Sequence, residues 1–572
     1  MPFKIQHLKM KKLLTLIFIA AAAISCSDER IVENLLLGGT TPLVNIYSYN
    51  AETNTMEHTA SKFRGEGIEV VTNHAKEIDD KRYLPIITPE SKEEFYILSS
   101  SAVATQEEVV QEKSIFVRTP ASIIGDIETS KVATLANKGE ELTIIGFDTV
   151  NEQGVVNRYK VSHNNTEGWI YGKYLHHSKE EALKSYKGGK YDKIHKAVRN
   201  PFGGGKASGC DYHPVERVTF EDNVMPEACY SIYLNCGVIG NIEQYIAFAK
   251  RTKINTFVID IKDNGCPGYK SEAMQKYSPT NYQKAPSAGE ANYLKAVKRL
   301  KEEGFYVVGR ITCFKDSYFV KDHPECAITS KSNGQPYKHN KAYWPSPYDR
   351  KVWQFNVELA KESVRKFGFN EINFDYVRFP DRMTKIENII NYHNKYNESK
   401  VQAIQRFVQY ACDEIHAVGA YVSIDVFGEC VNTYTTAYGQ YWPAISNVAD
   451  VICGMPYPDH FAKNSYGIRK PWNEPYKLFI NWGARAYARQ QECPTPAIVR
   501  TWIQAYDVMR YVDRNGIKYN ADNVEREIRG LYDANLIGGY IPWNAASNIE
   551  KYKQQIGAYK IDYLKDWKRN NK

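Results

Sequence analysis

TFVIDIKD (256–263), YVVGRITCF (306–314), EINFDYVRF (371–379) and YVSIDVFG (421–428) decide how this chain folds. Each is a short run of β-branched and aromatic residues, the composition of a strand. Alternation sorts each run into two faces. Phe257, Ile259 and Ile261 share one face of the first run, and Asp260 and Lys262 share the other. Ile311 and Cys313 oppose Arg310 and Thr312; Ile372 and Phe374 oppose Asn373 and Asp375. In the fourth run Val422, Ile424 and Val426 oppose Ser423 and Asp425. Strands buried on both faces read as continuous apolar runs. Here a polar side chain interrupts run after run, close to its C-terminal end.

Working outward, four more strands complete a series: SIYLNCGV (231–238) before these, then VICGMPYP (451–458), AIVRTWIQAY (497–506) and GGYIPWNAA (538–546). Helical segments are expected between them at 240–252, 290–303, 349–367, 399–418, 437–447, 475–490 and 521–534, with a last one near 548–556. The segment NVELAKESVRKFGF (356–369) carries a clear stop, with basic residues in the last turn and Gly368 after them. Eight strand–helix repeats over 231–560 predict an α/β domain, a (β/α)8 TIM barrel. An open doubly wound sheet would carry a Gly-rich nucleotide fingerprint after its first strand, and CGVIGN is not one. Polar residues at strand C-termini then line the mouth, where barrel active sites sit. The competing structural reading is an ion-pair layer of Asp260 and Asp375 with Arg310 or Lys262.

The N-terminal third reads differently. IEVV (68–71), RYLPIIT (82–88) and EFYILSSS (94–101) predict one small all-β barrel over 40–105. SIFVRTPAS (114–122), ELTIIGF (141–147), NRYKVSH (157–163) and EGWIYGKYL (167–175) predict a second over 110–177. VRTPAS and GWIYGKYL resemble the opening and closing motifs of bacterial SH3-like domains, with Trp169, Tyr171 and Tyr174 in the second copy. That resemblance implies a peptide or cell-wall ligand in an aromatic groove; a packing spacer is the other reading. Residues 178–230, rich in Gly and Lys, read as a linker.

Before all of this, Lys4, Lys9, Lys11 and Lys12 precede a short apolar run from Leu13 to Ile24. The run is too short to span a bilayer and predicts a secretion signal over residues 1–25. AISC ahead of Cys26 resembles a bacterial lipobox, which implies lipidation of Cys26 and a membrane partner through that anchor. Ser27, Asp28 and Glu29 are similar to the short acidic signals that send lipoproteins of some Gram-negative bacteria to the outer surface, and that resemblance implies an outer-membrane, cell-surface location. Without the signal's four lysines the net charge falls from +8 to +4, too mild for nucleic acid. The 11 cysteines form no CxxC or Cys/His set of the kind zinc needs, so no structural zinc is expected, and neither a metal nor a cofactor is assigned to the site. GxSxG, HExxH and phosphate-loop motifs are missing, which removes the serine hydrolase, zincin and kinase classes.

Asp375 and Asp425 fall at equivalent heights on adjacent strands four and five. Parallel neighbours about 4.8 Å apart bring two inward carboxylates within range of the paired acids that cleave glycosidic bonds. INFDYVRFP (372–380), FVIDIKDNG (257–265), GRITCFKD (309–316), VSIDVFGE (422–429) and GMPYPDHF (454–461) resemble a bacterial glycosyl hydrolase-like family of unassigned activity. That family is a TIM barrel distantly similar to the α-amylase superfamily. The resemblance implies a hydrolase acting on a carbohydrate, a polysaccharide or cell-wall glycan. It puts Asp375 at the strand-four nucleophile; strand five offers Asp425, with Glu429 in the loop beyond, where the superfamily has a glutamic acid. Asp375 and Asp425 are thus the expected catalytic pair. Asp260, Lys262, Asp263, Arg310, Tyr376, Arg378, Glu429, Tyr457, Trp502 and Trp543 are expected substrate contacts, the last three as sugar platforms. His460 is the one histidine well placed. The rival expectation is a glycan-binding lipoprotein whose carboxylates only pair with Arg310 and Arg378. Residues 231–546 hold 28 of the 42 tyrosines and 7 of the 9 tryptophans, as a sugar-handling barrel would.

Overall fold

The computed structural model describes residues 29–88, 93–191, 204–382 and 386–571. The expected signal over 1–25 and Cys26 lie outside the described residues. Two compact units divide the chain: residues 1–112 with 150–155, and residues 113–149 with 156–572. The first holds an eight-stranded sheet, antiparallel in its pairings, that begins at Val32, ahead of the expected start at residue 40. Its core is Leu37, Val44, Ile46, Val70, Leu84 and Ile97, the inward half of each alternation.

The second unit begins with a seven-stranded antiparallel sheet, from Ser114–Val117 to Leu175–His176. Then comes a parallel sheet whose strands are β1 Cys229–Leu234, β2 Thr256–Asp263, β3 Tyr306–Thr312, β4 Glu371–Asp375, β5 Tyr421–Phe427 and β6 Val451–Met455. Next is β7, in two pieces, Ile498–Val499 and Thr501–Gln504, and last β8 Gly539–Trp543. The first piece of β7 pairs with β6 and the second with β8, while β8 also pairs with β1. The sheet therefore turns back on itself through one strand split at Arg500, as a TIM barrel does.

A barrel helix follows each strand, with shorter helices in some of the loops: α1 Ile242–Ala249, α2 Gly289–Glu302, α3 Arg350–Phe367, α4 Lys400–His416, α5 Trp442–Ser446, α6 Pro475–Gln490, α7 Ala521–Asp533 and α8 Ile549–Gln554. Their ends follow local chemistry. Asp349 accepts from the Lys351 N–H at the start of α3, and Gly368 closes it at φ +79°. Ser399 and Gln402 form a capping box at the start of α4. Phe257, Ile259, Ile372, Phe374, Val422 and Ile424 pack outward against these helices, the face that alternation assigned them.

The barrel is filled from below. Val218, Phe220 and Met225 pack against its interior cluster, and the Asn223 amide donates to the carbonyls of Asn370 and Gly419. Arg217 donates to the carbonyls of Val448, Ala449, Ser446 and Thr495. Part of the stretch expected as a linker is thus a bottom plug, because its polar side chains satisfy carbonyls left open at the strand and helix ends.

Helix α4 explains where the second β unit sits. Gln405, Arg406, Gln409, Asp413 and Glu414 form a polar stripe that would face solvent on an ordinary barrel helix, yet all are buried. Tyr174 donates to Asp413 at 2.8 Å, Tyr171 donates to the Asp413 carbonyl at 3.2 Å, and Lys173 pairs with Asp413. Glu414 pairs with Lys361 of α3 at 2.8 Å and accepts from Ser130. Two of the aromatics expected to line a ligand groove, Tyr171 and Tyr174, are spent on holding the barrel. The packing role is the one the contacts support.

Candidate active site

Four ionisable side chains meet inside the upper barrel. Asp260 and Arg310 are register partners on β2 and β3, Thr312 pairs with Asp375, and the Phe374–Ile424 register brings Asp375 beside Asp425. Arg310, 2% exposed, is the hub. Its Nη1 donates to Asp260 at 2.6 Å and lies 3.7 Å from Asp263, its Nη2 donates to Asp375, and its Nε lies 3.8 Å from Asp425. Burial opposes the guanidinium charge, but Asp260, Asp375 and Asp263 together hold it firmly protonated. Tyr233 and Trp543 bring their rings to 5.8 and 5.3 Å of it.

One cation cannot compensate every carboxylate around it. Burial pushes the Asp260 carboxyl up to about 6, with Arg310 opposing and Asp263 adding to the rise. Tyr233 donates to its second oxygen. Asp425 is 0% exposed and held well above the usual carboxylate range, by burial first and the neighbouring Asp375 charge second. Its Oδ1 accepts from Trp502 Nε1 at 2.7 Å and Asn373 Nδ2 at 2.8 Å, and its Oδ2 makes no hydrogen bond among the described residues. A protonated Asp425 would carry its hydrogen there. Asp375 keeps 6% exposure, and its Oδ1 accepts from the backbone N–H of Tyr376 at 2.6 Å. Tyr376 itself sits at φ +53°, a conformation rare for an aromatic residue, immediately after this carboxylate.

The rim is aromatic and half-open. Trp543 is partly buried against Tyr233, with ring centroids 4.7 Å apart. Tyr457 is nearly buried, stacked edge-on against Tyr506 at 6.2 Å, and burial pushes its phenol up, with Asp425 and Asp375 adding to the rise. Arg378 is enclosed by the rings of Phe427, Tyr376, Trp344 and Tyr438 at 4.2 to 5.8 Å, and its charge reaches Asp381 at 3.5 Å rather than Asp375. Glu429 is half-buried and accepts from Tyr434 at 3.0 Å and Tyr438 at 2.9 Å. The Asp263 side chain is 37% exposed. His460 is exposed beside Asp459, at 2.9 Å.

Several sequence expectations change here. Lys262 leaves the inner face: a register shift between Asp260 and Lys262 pairs it with Ile311, an outward residue. Its ammonium lies over Phe355 of α3 and pairs with Asp316 at 2.8 Å, apart from the cluster around Arg310. Trp502 is inward but too deep for a platform; fully buried, it holds Asp425 instead. Asp260 and Arg310 are likewise beneath the surface of the mouth. Asn373, Tyr233, Lys315 and Trp344 belong to the site or its rim without having been singled out for it. Asn373, two residues before Asp375 on the same face, was legible by alternation.

For metals, the donor atoms of Cys412, His416 and Asp450 lie within 4.8 Å of one another. The i, i+4 spacing of Cys412 and His416 was readable, against the expectation of no Cys/His set. His416 Nε2 already lies 2.7 Å from Asp450 Oδ2, and Arg217 adds positive charge beside Asp450 and Cys412. The cluster is satisfied as a structural pair at the foot of the barrel. Cys236 and Cys266 form a disulfide that ties the end of β1 to the hairpin following Asp263.

Fold and site together define an α/β barrel whose mouth gathers carboxyl groups around one arginine. Residues 230–549, more than half the chain, match the family described as "Putative glycosyl hydrolase domain", and the chain belongs to it. A hypothetical protein from Ruminiclostridium thermocellum ATCC 27405 is similar in structure at 32% identity, covering 34% of this chain and 97% of its own, with a TM-score of 0.30. The PgaB (BpsB) glycoside hydrolase domain from Bordetella bronchiseptica is similar at 13% identity, covering 57% of this chain and 99% of its own, with a TM-score of 0.41. No curated protein matches the chain.

Proposed function

We propose that this protein is an exported, lipid-anchored glycoside hydrolase whose acting carboxylate is Asp375. The observation that carries the reading is the position of Asp375: at the mouth end of β4, still accessible, oriented by Arg310 and by the Tyr376 N–H. Two donors fix the carboxylate and leave lone pairs for an anomeric carbon or a water. Asp425 supports it from below. Full burial keeps Asp425 from a glycosidic oxygen, so it serves as a neutral hydrogen-bonding neighbour rather than the acid that protonates the leaving group. That acid is a half-buried rim carboxyl. Asp263, near the same guanidinium as Asp375, is the first choice, and Glu429 the second.

The Cys26 lipobox and the preceding signal support attachment to the outer membrane, and the two SH3-like units then act as spacers. The Cys236–Cys266 disulfide suits an oxidising compartment. The Arg310–Asp375 ion pair favours a second reading, a glycan-binding lipoprotein without catalysis.

Residues 27–572, screened on polysaccharide and peptidoglycan panels beside Asp375→Asn, separate the two. The hydrolase reading expects product from wild type and a loss of about a thousandfold or more in the variant. Asp263→Asn is expected to lose natural substrates yet keep turning over aryl glycosides whose leaving group needs no proton. Equal binding by wild type and Asp375→Asn, with no cleavage by either, leaves the binder.

A further inference from the structure

The rim carries a cation that the ion-pair network does not use. The β3–β4 ladder runs on beyond the strands, with Cys313 N–H donating to the Asp375 carbonyl at 2.9 Å and Phe314 N–H to the Tyr376 carbonyl at 3.2 Å. Lys315 is the next residue. Its Nζ lies 4.9 Å above the Tyr376 ring and 3.5 Å from the Tyr376 hydroxyl. The Tyr376 N–H in turn holds Asp375. Lys315 therefore stands at the side chain of Tyr376, the residue that follows the acting carboxylate, half-buried, and forms no ion pair among the described residues.

Nearby acids are committed elsewhere. In the loop from 313 to 349, Asp316 pairs with Lys262 and caps the helix Ser317–Asp322. Asp322 accepts from Ser278 and Thr280, Glu325 pairs with Lys351 at 3.0 Å, and Asp349 caps α3. A second lysine of the same loop, the exposed Lys338, lies with its Nζ over the ring of Tyr343, whose N–H donates to Ser317. A partly desolvated ammonium with no counter-charge is an incomplete interaction, completed by an anion from outside.

We propose that Lys315 sets the substrate class of this mouth: a glycan bearing an anionic group, carboxylate or sulfate, on a sugar beside the cleaved bond, with Lys338 meeting a further anionic sugar. This rests on reading the mouth as the glycosidase site. The Tyr376 ring places the sugar, and the ammonium reads its charge.

The test is calorimetric titration of the Asp375→Asn chain (residues 27–572) with three probes: an oligogalacturonate, its carboxyl-reduced neutral form and a sulfated galactan oligosaccharide. At least one anionic probe is expected to bind ten times or more tighter than the neutral one, and to weaken as salt rises. Lys315→Gln, whose melting temperature should match its parent, is expected to lose about tenfold to a hundredfold of that affinity, and Lys315→Arg to keep most of it. Neutral and anionic probes binding alike, no anionic probe binding, or an unchanged Lys315→Gln overturns the proposal. Wild-type turnover keeps the two readings apart. Charge-dependent binding without cleavage removes only the hydrolase, while cleavage of an anionic probe at the same rate by wild type and Lys315→Gln removes only the anionic substrate.

Discussion

The two ends of the barrel solve the same electrostatic problem in opposite ways. At the bottom, Glu371 and Arg500 form a fully buried pair at 2.7 Å, with Tyr306 donating to the other carboxylate oxygen at 3.1 Å. One cation meets one anion, and Val218, Phe220 and Met225 pack beneath. At the mouth, one arginine meets Asp260, Asp375 and Asp425, with Asp263 near, and an edge stays open. Both layers come from inward positions of the same strands, so inward charge alone does not mark chemistry. The imbalance sets the mouth apart: one cation cannot neutralise every carboxyl around it, so Asp425 and Asp260 hold their protons above the usual carboxylate range, while the bottom pair is balanced.

The comparison can be broken at either end, beginning with the largest effect. Glu371→Gln leaves Arg500 buried without its charge partner and is expected to cost about 3–5 kcal/mol of stability. Denaturant unfolding measures it; a loss below about 1 kcal/mol would put the bottom layer in the same class as the mouth. Trp502→Phe keeps an aromatic side chain at the position but removes the indole N–H that donates to Asp425. It is expected to lower kcat about tenfold while KM moves less than twofold, the value of one buried hydrogen bond. An unchanged kcat would make Trp502 simple filling.

The smallest effect is in the pH dependence of stability. Asp260 and Asp425 hold protons more tightly folded than unfolded, so that stabilisation is complete below about pH 4, where unfolded carboxyls ionise. It declines as pH rises toward about 6 for Asp260, and further for Asp425. Asp425→Asn mimics the protonated form and keeps an acceptor for Trp502 and Asn373. Its melting temperature at pH 8 should equal or exceed wild type by about 1 °C or more, with a shallower fall between pH 5 and 8. A lower value with an unchanged slope would mean that Asp425 is ionised in the native protein.

Much of the fold was legible because apolar periodicity and helix-end signals are local. β2 runs over 256–263 as expected, α6 over 475–490, and the stop at Gly368 ends α3. Inward Asp260, Arg310, Asp375 and Asp425 followed from alternation alone. Lys262 did not, because one register shift in β2 turns it outward, and alternation has no way to see a bulge. The polar stripe of α4 was visible too, but its reason was not: it faces the second β unit instead of water.

What chain order and periodicity settle here is the set of strands, the helices between them and the face on which each charge lies, since these depend on neighbours within a few residues. Height within the barrel is decided elsewhere. Trp502 pairs with Ile541, and Gln504, two residues further along, pairs with Trp543. That stagger puts one tryptophan beneath Asp425 and the other at the rim. Which carboxyl stays at the edge of the mouth and which holds its proton both follow from burial, and burial is a property of the closed barrel rather than of any one strand.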